Sequence, residues 1–109
     1  MFRRSVVLML LSVPGVQVFA QMVAIAPEVW DRPRSGKVIM EQPAIRQAVR
    51  ACIEVPGAQL VIHHAAGQES VLYAEELRSW LIALALDPDR IVVRGDLARG
   101  DPLKIEVMP

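Results

Sequence analysis

From Gln59 to Arg94 the chain reads QLVIHHAAGQESVLYAEELRSWLIALALDPDRIVVR. Its two ends have the apolar, β-branched character of short strands, while the middle repeats at helical spacing. In QLVIHH, Leu60 and Ile62 fall on one face and Val61 and His63 on the other, and apolar residues on both faces are expected of a central strand. A helix is expected from Val71 to about Leu86, with Ser70 as its N-cap. Its inward stripe comprises Ala74, Leu77, Leu81 and Leu84, joined by Trp80 or Ala85. Asp87-Pro88-Asp89 stops that helix, and Arg90–Arg94 forms a second strand closed by Gly95-Asp96. A strand, a long helix and a second strand make a crossover unit, so the two strands should be parallel neighbours with a right-handed connection.

Upstream, GKVIMEQPAIRQAVRACIEVPG carries Ile45, Ala48, Val49, Cys52 and Ile53 at helical offsets. Pro43 is compatible only with a first turn, so the helix should start near it and stop at Pro56-Gly57. Val38–Met40 is then a short strand or an irregular lead-in. Between Gln21 and Ser35, Pro27 and Pro33 break regular structure, leaving a short strand around Glu28–Asp31 anchored by Trp30. Downstream, Asp101-Pro102 introduces a last strand, Leu103–Val107. The expected architecture is a two-layer α/β sandwich of order β-α-β-α-β-β, with two helices on one face of a small mixed sheet. Its core is expected to include Ile45, Val49, Cys52, Leu60, Ile62, Leu77, Leu81, Leu84, Ile91 and Val93.

The first twenty residues read differently. Arg3 and Arg4 precede an apolar run from Val6 to Val13, then Pro14-Gly15, and Val18-Phe19-Ala20 supplies a small-x-small cleavage pattern. This is the layout of a secretory signal peptide cut after Ala20. The run is shorter than the ~20 apolar residues of a membrane span, so no stable membrane insertion is expected after cleavage. Residues 21–109 then form one small domain, expected in the periplasm. Its acids outnumber its bases by two, because Arg3 and Arg4 leave with the signal and the whole chain is balanced at 12 of each. That charge excludes nucleic acid as a natural partner. Cys52 is the single cysteine, so no internal disulfide is available and packing must hold the fold.

The run LYAEELRSWLIALALDPDRIVVRGDLARGDPL resembles the second half of an OmpA-like C-terminal domain. The match rests on Leu77, Leu81, Pro88, Asp89, Arg90, Ile91, Arg94, Gly95, Gly100 and Pro102. Val29-Trp30-Asp31 and Pro56–Ile62 are similar to the family's first half. The resemblance implies the same two-layer fold and a ligand loop at HHAAGQES, where the family holds the diaminopimelate of peptidoglycan with an aspartate and an arginine. This chain aligns His64-Ala65-Ala66-Gly67 where the aspartate should be and Tyr73-Ala74 in place of arginine-alanine, in a shorter loop. Loss of two charge-assisted contacts, worth about 1.5–3 kcal/mol each, makes this a degenerate member for which ordinary diaminopimelate recognition is not expected.

Two sets of residues are candidates for function. The ligand loop offers His63, His64, Gln68, Glu69 and Tyr73. Arg32, Arg34, Lys37, Arg46 and Arg50 are the candidate docking patch for an acidic partner or anionic envelope polymer. Adjacent strand residues point to opposite faces, so His63 and His64 do not readily share a metal, and no third His or Cys completes a site. No serine or cysteine nucleophile is tied to His64 and Glu69, so neither a hydrolase nor a metal-binding protein is favoured, and no cofactor is expected. The expected function is a non-catalytic periplasmic module, acting on an envelope protein through an OmpA-like scaffold. The alternative is a peptidoglycan binder in which His63, His64 and Gln68 replace the lost aspartate.

Overall fold

The computed structural model describes residues 21–109; the leader read at residues 1–20 lies outside the described residues. In chain order the elements are strand β1 (Val23–Ala24), a 3-10 turn (Pro27–Asp31), helix α1 (Gly36–Met40), helix α2 (Pro43–Glu54), strand β2 (Gln59–Ala65), helix α3 (Gln68–Leu84), a second 3-10 turn (Pro88–Arg90), strand β3 (Ile91–Leu97) and strand β4 (Lys104–Met108). Among the described residues the strands make one sheet in the order β1-β4-β2-β3. β2 and β3 are parallel, with Leu60 opposite Ile91 and Ile62 opposite Val93, as a crossover through α3 requires. β4 runs antiparallel to both β2 and β1.

Strand alternation divides the sheet chemically. Leu60, Ile62, Ile91, Ile105 and Val107 lie on the face covered by α2 and α3, where they join Ile45, Val49, Cys52, Leu77 and Leu81 in one core. The opposite face presents Val61, His63, Val92, Arg94, Lys104 and Glu106, by the same pairing. Arg90 locks the layers together at one end. Its Nε donates to Ala58 O at 2.9 Å and its Nη2 to Val55 O at 3.0 Å and to Cys52 O. One guanidinium thus caps the carbonyls left open where α2 ends.

Several local expectations are corrected. Glu28–Asp31 is part of a 3-10 turn, because Val29 and Trp30 are both buried and a strand would send neighbours to opposite faces. The first strand lies earlier, at Val23–Ala24. Val38–Met40 belongs to helix α1, capped by Ser35 Oγ accepting from Val38 N at 3.2 Å. α3 starts at Gln68, and Ser70 is no cap; its Oγ accepts from Ala65 N at 2.9 Å. Leu84, expected in the core, is 41% exposed, while Leu86 is buried. Ala85 N and Leu86 N both donate to Leu81 O, which ends the helix and swings Leu86 inward in Leu84's place. Ile53 is likewise exposed and Ala51 buried, so the α2 stripe is rotated about the helix from the expected one. Val93, on the last strand of the sheet order among the described residues, is only half-buried.

Candidate functional site

A cleft of about 460 Å³ opens where the β2–α3 loop meets two distant segments. One wall is the loop and first turn of α3, including Gln68, Glu69 and Tyr73; the second is Pro27, Trp30 and Asp31 of the 3-10 turn; the third is the β3–β4 turn from Arg99 to Leu103. Gly67, at the start of α3, has φ +114°, in a region open to glycine and strained for other residues. That conformation lets the chain leave β2 and enter α3 with a two-residue loop.

The walls are braced from behind. Tyr73 stacks on Trp30 with ring centroids 4.8 Å apart and planes 8° from parallel. Arg34 lies 5.5 Å from the Trp30 ring centroid and donates from Nη1 to Trp30 O at 2.9 Å. The same guanidinium grips Glu76 with two bonds of 2.8 Å, and Trp80 Nε1 donates to the same carboxylate at 3.1 Å. Trp30, Arg34, Tyr73, Glu76 and Trp80 therefore form one network that pins the 3-10 turn to α3. A shallower hollow of about 360 Å³ lies on the other side of that network, beside Arg32, Arg34, Glu76 and Trp80.

The candidate ligand-loop residues separate. Gln68, Glu69 and Tyr73 line the cleft, while His63 and His64 do not. His64 Nδ1 is 2.9 Å from Ala65 O, and a Cβ on Gly95 would come within 2.8 Å of the His64 ring. Gly95 thus makes room for that imidazole. His63 sits on the far face of the sheet, 1% exposed, with Nδ1 2.7 Å from Asp96 Oδ1 and Nε2 2.8 Å from Glu106 Oε1. A neutral imidazole has one N–H, so both contacts are hydrogen bonds only when the triad holds a second proton, on the ring or on a carboxyl. A register shift between His63 and Ala65 adds a residue to β3, and Asp96 lies in that stretch.

Of the two loop alanines, Ala65 is buried and Ala66 exposed, and both line the cleft. Tyr73 is committed to the Trp30 stack. The basic residues are also divided: Arg34 is half-buried and paired with Glu76, and Lys37 pairs with Glu41. Arg32, Arg46 and Arg50 are exposed. Among the described residues the docking patch therefore holds three cations without an ion pair and two that are paired. Among the described residues no group of three or more His, Cys, Asp or Glu could hold a metal ion, and no helix is long and apolar enough to cross a membrane.

Titration follows the same contacts. Hydrogen bonding from His63 holds Asp96 below its ordinary carboxylate value, and bonding from Arg34 does the same for Glu76. Tyr73 is raised, first by desolvation and then by the Glu69 carboxylate, against an opposing effect of Arg34 that outranks the small contribution of Asp31. Burial raises the Cys52 thiol. A carboxylate depressed by folding adds stability above its unfolded value, and that contribution is lost as pH falls through the folded one. Stability should therefore hold down to about pH 5 and decline below it. In Glu76→Gln the acid decline, followed by urea melts at several pH values, should be shallower than in the parent.

Trp30, Asp31 and the Arg99–Leu103 turn were not marked as site residues by the sequence; the aromatic-aspartate pair in Trp30-Asp31 is the one local signal that points to them. No family model, no curated protein and no solved structure matches this chain.

Proposed function

We propose that this chain is a non-catalytic interaction module of the bacterial envelope, exported to the periplasm, which uses an OmpA-like scaffold to hold a protein partner at the cleft. The observation that carries the reading is the braced cleft: three segments remote in sequence converge on it, and the Trp30–Tyr73 stack and the Arg34–Glu76 pair hold two of its walls together. Such a site is pre-organised, which lowers the entropic cost of binding. His64, the candidate general base, turns its Nδ1 to Ala65 O and does not line the cleft, while Ser70, which does, accepts from Ala65 N. The cell-wall alternative would use the same cleft through Gln68, Glu69 and Tyr73, without the two histidines.

The test uses protein recovered from the periplasm, carrying a photo-crosslinking residue at Gln68 or, as a control, at Arg94 on the opposite face of the sheet. The expected result is a discrete envelope protein captured from position 68 and not from position 94, with the chain left in the supernatant when mixed with purified peptidoglycan sacculi. Sedimentation with sacculi at physiological salt, abolished by changes at Gln68 and Glu69, would favour the cell-wall alternative. Retention of the chain in the cytoplasm would remove the envelope reading altogether.

A further inference from the structure

Strands β3 and β4 follow one another in the chain but are not neighbours in the sheet, because β2 lies between them. The connection at residues 98–103 therefore arches over the end of β2, where Leu97 pairs with Ala65. From Arg99 to Leu103 it forms the third wall of the cleft. Both feet of this arch meet at one side chain of the strand beneath it. His63 takes Asp96, just before the arch, on Nδ1 at 2.7 Å and Glu106, just after it, on Nε2 at 2.8 Å. The extra residue of β3 lies at the first foot, between Arg94 and Leu97, and bulges of this kind re-aim side chains.

The ring is 1% exposed, so water does not replace a lost partner. Both contacts are donations from the ring only while the imidazole carries two protons. The other charged side chains on this face of β2, β3 and β4 are Arg94 and Lys104, each paired across from His63. Two cations favour ionised carboxylates, and Asp96 is held below its ordinary value, first by the His63 hydrogen bond. The second proton of the triad is thereby assigned to the ring.

We propose that His63 is a proton-dependent latch on the arch: doubly protonated, it ties both feet together, and when the second proton leaves to solvent one foot is released and the third wall of the cleft shifts. The latched state holds one proton more than the open one, so rising pH favours opening and falling pH favours closure, until the carboxylates themselves protonate. His63 is then a positioning residue for binding at the cleft, a role that rests on reading the cleft as a protein-contact site.

The test follows the His63 ring nitrogens and the backbone amides of the isotopically labelled chain by NMR from about pH 4 to pH 10, which brackets the ordinary imidazole range. Both ring nitrogens should carry protons at the acidic end, and the amides of Arg99, Gly100 and Asp101 should shift with the midpoint at which the ring loses one. Glu106→Gln separates the latch from a merely structural contact. Its amide donates to a bare imidazole nitrogen, so both contacts survive without the second proton and the arch amides should stay in place across the range. Leu81→Ala, destabilised through the core, should keep the coupled transition. A ring whose proton count does not change over the range, arch amides that move with a different midpoint, or a Glu106→Gln arch that still follows pH would overturn the latch. Crosslinking from Gln68 on either side of the midpoint should capture more partner on the acidic side, and equal capture would remove the latch's role at the cleft. Coupled shifts with no protein captured at either pH would leave the latch standing and remove the protein-contact reading.

Discussion

Leu81→Ala is expected to lower the free energy of unfolding by about 2–5 kcal/mol. The side chain is fully buried in α3 and belongs to the same core as Leu77, Leu60, Ile62 and Ile105. Its truncation removes apolar contact and leaves a cavity that can collapse little, since two bonds from Ala85 N and Leu86 N fix the backbone at Leu81 O. Against the ~5–15 kcal/mol typical of whole domains, that is a large fraction. Urea titrations followed by Trp30 and Trp80 fluorescence would measure it as a lower midpoint at unchanged slope. Leu84→Ala is the internal control. It lies one turn on along the same apparent stripe but is 41% exposed, so its cost should be well below that of Leu81→Ala. Equal losses at the two positions would contradict the described end of α3.

His63→Leu is expected to cost about 1–3 kcal/mol, although it places an apolar residue of similar size at a buried position. The imidazole joins three strands, contacting Asp96 of β3 and Glu106 of β4 from β2. Leucine fills the space but removes both polar contacts, and Glu106, with its side chain 19% exposed, is left without its imidazole partner. The same substitution releases Asp96 from the contact that depresses its titration. The variant should therefore lose less stability than the parent between pH 6 and pH 3, in addition to starting lower. Urea melts across that range provide the check, and parallel pH curves for the two proteins would show that the triad is not the source of the acid dependence.

The sequence by itself was sufficient for the crossover unit. Apolar spacing in α3, β-branched runs on both sides, and Asp87-Pro88 as a stop signal are local properties, and local propensity and burial act together there. The same holds for α2 starting at Pro43 and for Leu60, Ile62, Leu77 and Leu81 in the core. The β2–α3 loop stands out in the sequence for its paired histidines and its resemblance to a ligand loop, and the cleft takes Gln68, Glu69 and Tyr73 from that set but neither histidine.

Tertiary structure decided what depends on register or on contacts far apart in the chain. Alternation in Lys104–Met108 shows that Lys104 and Glu106 share a face, but only the pairing of β2 with β4 brings Glu106 to His63 across 43 residues. The 3-10 turn at Pro27–Asp31 exists because both Val29 and Trp30 find buried positions, a choice between strand and turn that neighbouring residues alone do not make. Leu84 and Leu86 were equivalent as apolar letters, and the bonds to Leu81 O determined which one went inside. The cleft is the clearest case: Glu69 is readable from the loop, but Asp31, Arg99 and Asp101 reach it only because the sheet order places β4 beside β2 and the Trp30–Tyr73 stack holds the first turn against α3. Hydrophobic periodicity sets which side of each element is buried, whereas long-range packing sets which polar groups then meet.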